Sequence, residues 1–133
     1  YIAAILRYLY SFFLAVAIGS LLIALFENQT DEIFASNQYV QFFAKTWSWG
    51  LIVFGGHLIA LAYLNYHPSW LAKAISILLF IAGIGYVLTN VLNNLMPDYY
   101  LTQKNTFETF FMVPMVLGEI GWAVYLLAKA PPQ

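Results

Sequence analysis

Glu119 is a carboxyl group in the middle of an apolar run, with ten uncharged residues separating it from Glu108 and nine separating it from Lys129. An unpaired charge at the centre of a membrane costs roughly 2.5 kcal/mol or more, so such groups turn toward a bundle interior or mark an ion path. His57 is its nearest chemical counterpart. It lies ten residues inward from His67 on one apolar run, as Glu119 lies ten inward from Lys129 on another. If His67 and Lys129 share a face, imidazole and carboxyl reach one depth. A His–Glu pair there would share a proton, as neutral imidazole with carboxylic acid or as an ion pair, with burial and mutual attraction opposing each other. The plainer reading is a polar contact tying two helices together, worth about 1 kcal/mol. A third is two groups that never touch. A bis-His haem would need His67 as its second ligand, ten residues along the same helix, and is disfavoured.

Other polar or small residues recur at helical spacing. Ser76, Gly83, Tyr86, Asn90, Asn93 and Asn94 would share one broad helix face, which should point inward. Tyr86 and Asn90, together with His57 and Glu119, form the set of candidate binding or proton-handling residues. The face would line a water-filled cavity, or its asparagines would cap and snorkel at a helix end. Gly55, Gly56, Gly83, Gly85, Gly118 and Gly121 supply surfaces for close helix packing. Pro114 lacks an amide hydrogen, frees the carbonyl of Phe110 and should kink its helix just outside the acid. Met112, Met115 and Trp122 read as packing around Glu119. The many aromatics would suit contact with lipid, quinone or pigment, and no motif indicates a cofactor, a metal or a catalytic set.

These residues need helices to carry them. The chain is 62% apolar and 8% charged, against roughly 45–50% and 25% in soluble domains. In hydrocarbon, backbone amides must be satisfied within a helix or a closed barrel, and the apolar runs have helix length. Four spans follow, at about 8–26, 46–66, 70–95 and 106–128, each near the roughly 20 residues that cross a bilayer. The expected fold is an all-α, four-helix antiparallel membrane bundle in one domain. Asn65, His67 and Pro68 mark a tight reversal, and Met96-Pro97-Asp98 ends the third span, since proline cannot continue a helix and disfavours helix just before it. The chain opens at Tyr1 without Met, so a longer protein is expected, with the first run a retained helix and not a cleaved signal peptide.

Alternating directions put Arg7, the 65–73 turn and Lys129 on one face, and the 27–45 and 96–108 loops on the other. Counting only Lys and Arg gives Arg7, Lys73 and Lys129 against Lys45 and Lys104, which places both ends in the cytoplasm. Tyr8, Trp47, Trp70, Tyr99 and Tyr100 suit interfacial belts. In the first loop Ile33 and Phe34 would seed a short surface helix, and Asn28-Gln29-Thr30 matches a glycosylation sequon. A net charge of −1 without a basic cluster excludes nucleic acid. The absence of cysteine excludes disulfides, thiolate metal sites and cysteine nucleophiles.

Three stretches carry a family likeness: Gly55-Gly56-His57-Leu58 through Ala62-Tyr63-Leu64; His67-Pro68-Ser69-Trp70-Leu71-Ala72-Lys73; and Ile81-Ala82-Gly83-Ile84-Gly85-Tyr86. Val113-Pro114 and Leu117-Gly118-Glu119, followed by Trp122 and Leu126-Leu127, complete the set. Over spans two to four the chain resembles domain-of-unknown-function family 4386, bacterial multi-pass inner-membrane proteins without an assigned activity. The resemblance puts His57, Pro114 and Glu119 on family motif positions, and implies more spans in typical members than the four here. The resulting expectation is a bacterial inner-membrane protein in contact with lipid and with other membrane subunits, serving as a structural or accessory subunit and not as an enzyme. The alternative is a small proton-coupled transporter using a His57–Glu119 pair.

Overall fold

The computed structural model describes residues 1–27, 38–67 and 69–129. Four helices fill them: α1 (Ile2–Glu27), α2 (Gln38–Leu64), α3 (Trp70–Leu95) and α4 (Pro97–Lys129). Each is long and apolar enough to cross a bilayer, and among the described residues there is no strand. The chain is an all-α membrane protein of antiparallel spans. The Asn28-Gln29-Thr30 sequon, Ile33, Phe34 and Pro68 lie outside the described residues.

Two segments expected as loops are helical. Residues 38–45 open α2, and almost all of 96–108 belongs to α4. Proline at the first position of a helix loses no intrahelical bond and already has helical φ, so Pro97 ends α3 and starts α4. Met96 is the one-residue joint: its amide donates to the Leu92 carbonyl at 2.8 Å, and its own carbonyl accepts from the Tyr100 amide at 3.0 Å. Thr102 and the Lys104–Glu108 pair, 3.7 Å apart, then continue the exposed turns. At 33 residues α4 is about 50 Å long at 1.5 Å per residue, so it outruns the hydrocarbon. The helix continues through Pro114. At the other reversal Ser69 caps α3, its hydroxyl accepting from the Ala72 amide at 3.3 Å.

Each helix packs on its successor, α1 on α2, α2 on α3 and α3 on α4, and no other pair of helices has more than marginal contact. The arrangement is therefore an arc with an open side between α1 and α4. Small residues set each seam. Ala3, Ala17 and Ala24 recur at multiples of seven along α1 and are buried, and Gly50 of α2 sits where an added Cβ would lie 3.1 Å from Phe13 Cβ. At the α2–α3 crossing, a Cβ on Gly55 would come 2.7 Å from the Gly83 carbonyl oxygen, and one on Gly83 would come 2.7 Å from that of Gly55. Gly118 brings α4 onto the backbone of Leu78 and Leu79, and Gly85 admits the Phe111 ring. Gly56 and Gly121 have room to spare, with the nearest atoms 3.9 and 3.7 Å from an added Cβ. The core itself, Leu58, Ala62, Ala72, Ile75, Leu79, Ala82 and Tyr125, lies toward the end where α1 starts and α4 finishes.

Candidate functional site

The mid-span acid is engaged, and its partner is on α3. The Tyr86 hydroxyl donates to Glu119 Oε1 at 2.7 Å. Side chains on a helix lean toward its N-terminus. On antiparallel α3 and α4, Tyr86 therefore leans toward one membrane face and Glu119 toward the other, and the two meet although their backbones are at different depths. His57 points elsewhere. Its Nδ1 lies 2.8 Å from the Ala3 carbonyl oxygen on α1, and its ring packs with Tyr10 at 5.5 Å and Phe54 at 6.3 Å. Among the described residues the only ion pair is Lys104–Glu108, so His57 and Glu119 are not salt-bridged. Matching the residue count aligned their depths, and the azimuth of each side chain gave it a nearer partner.

His57 and Glu119 nevertheless face one space. With Arg7, Tyr10, Phe54 and Trp122 they line a cavity of about 360 Å³ to which all four helices contribute, on the open side of the arc. If Nδ1 carries the proton given to Ala3, Nε2 is the ring atom left for other contacts. Arg7 is exposed, at the cavity mouth.

Part of the polar line on α3 is a hydrogen-bonded network, while Asn93 is exposed. Ser48 of α2 donates to Asn90 Oδ1 at 2.9 Å and accepts from Asn94 Nδ2 at 2.8 Å. Asn90 Nδ2 donates to the Tyr86 carbonyl at 2.9 Å and Asn94 Nδ2 to that of Asn90 at 2.8 Å. The Thr89 hydroxyl donates to the Gly85 carbonyl at 2.7 Å. Ser48 was invisible to the sequence reading, since an isolated serine in an aromatic run carries no spacing signal. Tyr86, Asn90 and Asn93 line a second cavity of about 440 Å³, with Glu108 and Tyr100 toward its outer end. Ser76 lies apart from these: it is buried near the opposite end of α3, and its hydroxyl has no hydrogen-bond partner among the described residues.

Among the described residues, no group of His, Asp and Glu is placed to hold a metal ion. The family model for the domain of unknown function DUF4386 matches residues 1–130. The chain belongs to that family. The match to DUF4386 runs through α1 as well as the three later spans where the motifs lie. No curated protein and no solved structure matches the chain.

Proposed function

We propose that this DUF4386 protein is a small proton-coupled carrier of the bacterial inner membrane, with both ends in the cytoplasm and Glu119 as its coupling acid. One observation carries the reading: the Tyr86–Glu119 bond sits between two cavities in opposite halves of the bundle. The first is lined by residues near the start of α1 and the ends of α2 and α4. The second is lined by residues near the start of α4 and the end of α3. Glu119 lines the first cavity and its bonded partner Tyr86 lines the second. A carboxyl group that turns from one to the other can bind a proton from one compartment and release it to the other, exchanging it for or moving it with a solute. The Tyr86 hydroxyl, which donates to Glu119, would hold the carboxyl at this position between substrate cycles.

The test is substrate-dependent proton movement. Purified protein in vesicles with an entrapped pH dye, offered panels of amino acids, organic cations and organic acids, should move protons only when a substrate is present. Glu119→Gln should abolish that movement while the purified variant keeps its helicity and thermal stability in detergent. Unchanged flux in the variant would remove Glu119 from the mechanism.

A second reading, a subunit of a larger membrane assembly, is favoured by the open α1–α4 side, which a partner's helix would close. A stoichiometric partner should then co-purify in mild detergent, and a chain recovered alone would count against it.

A further inference from the structure

We infer that the cavity shared by Arg7, His57 and Glu119 binds a small zwitterion with an apolar body, of the amino-acid type; the assignment rests on the carrier reading for the same Glu119. Two opposite formal charges, on α1 and α4, line this one space, and neither is neutralised by an ion pair among the described residues. A purely cationic ligand would satisfy Glu119 and leave its charge facing Arg7. A purely anionic ligand would do the reverse. A dipolar ligand answers both and leaves the site without net charge, which is the least costly state for a space surrounded by hydrocarbon.

The geometry orders the ligand's groups. Arg7 is five residues from the start of α1 and Glu119 ten from the end of α4, at the same membrane face. The backbone at the acid therefore lies about 7.5 Å deeper at 1.5 Å per residue. The carboxylate of a bound zwitterion faces the cavity mouth and Arg7, and its ammonium faces the midplane and Glu119. His57, held by the Ala3 carbonyl, lines the same cavity and offers its other ring nitrogen as a further contact. The walls are apolar and aromatic, with Tyr10, Phe54, Leu58, Leu79 and Trp122 available to an apolar body. A volume of about 360 Å³ falls at the small end of ligand sites, which run from about 300 to 1,000 Å³.

Matched probes test this directly. Radiolabelled phenylalanine, with leucine as a second zwitterion, is bound to the full chain in lipid nanodiscs, and phenethylamine and 3-phenylpropionate compete as the cation-only and anion-only analogues. Each single-charge analogue should compete roughly tenfold less well, the loss expected for one charge-assisted contact. Arg7→Gln should bring phenylalanine and phenethylamine to equal affinity, Arg7→Lys should restore the difference, and Glu119→Gln should equalise phenylalanine and 3-phenylpropionate. Folding of each variant is checked by circular dichroism and size-exclusion profile. An analogue that competes as well as phenylalanine in the parent protein overturns the assignment, and so do variants that weaken all three probes alike. Glu119-dependent proton flux without binding of either amino acid would sink the zwitterion and leave the carrier reading standing. The crossed analogue pattern without proton flux would establish the site and sink the coupling.

Discussion

The α2–α3 seam and the α1–α4 side are opposite solutions to placing two helices in a membrane. At the first, Gly55 and Gly83 remove side chains from the crossing, and each backbone carbonyl oxygen lies only 2.7 Å from where the other residue's Cβ would be. At the second, Arg7, Tyr10, Trp122 and Leu126 stand between the helices, and a cavity results. Lipid tails are as apolar as leucine, so close van der Waals packing and polar contacts hold membrane helices together. Space for a ligand arises where bulky side chains prevent that approach. The polar groups follow the same division. Those in the α2–α3 seam, Ser48, Asn90 and Asn94, bond to one another, while the charged groups beside the opening include Arg7 and Glu119, which are not paired together.

The contrast can be broken most severely at the closed seam. Gly83→Leu should prevent the bundle from forming, because the new Cβ meets backbone that cannot rotate away; loss of a monodisperse species in detergent is the measurement. Tyr86→Phe should cost about 1 kcal/mol by removing the donor to Glu119, read as a lowered unfolding midpoint. Ser48→Ala should cost about 0.6 kcal/mol, the average for a hydrogen bond between membrane helices, by the same measurement. At the open side, Ala123→Leu adds volume to a cavity wall and should leave stability within about 0.5 kcal/mol. A large loss there would mean that α1 and α4 pack together in the membrane.

Much of the architecture was legible because hydrocarbon leaves a chain few choices. Uncharged runs of helix length gave four antiparallel spans, and the residues that end α3 were readable from Met96-Pro97. The helix ends were less so: α2 and α4 begin earlier than their uncharged runs, since a helix leaving the bilayer keeps its hydrogen bonds and tolerates Lys45 or Lys104. Of the site, the singular position of Glu119 was readable and its partner was not. Counting residues gives depth along an axis but neither azimuth nor the lean of a long side chain, so the count matched His57 where Tyr86 makes the bond. The alanine stripe on α1 was a signal that could have been found, at positions 3, 17 and 24, and it identifies the helix surface that His57 reaches.

The chain of pairwise seams also shapes how damage spreads. Gly50, against Phe13, and Gly118, against Leu78 and Leu79, serve seams on either flank of the central hairpin and share no neighbour. Perturbations at two such separate places sum, because neither alters the reference state of the other. The protein thus behaves energetically as a fixed α2–α3 spine with two independently adjustable wings, and a change that loosens one wing leaves the grip of the other intact.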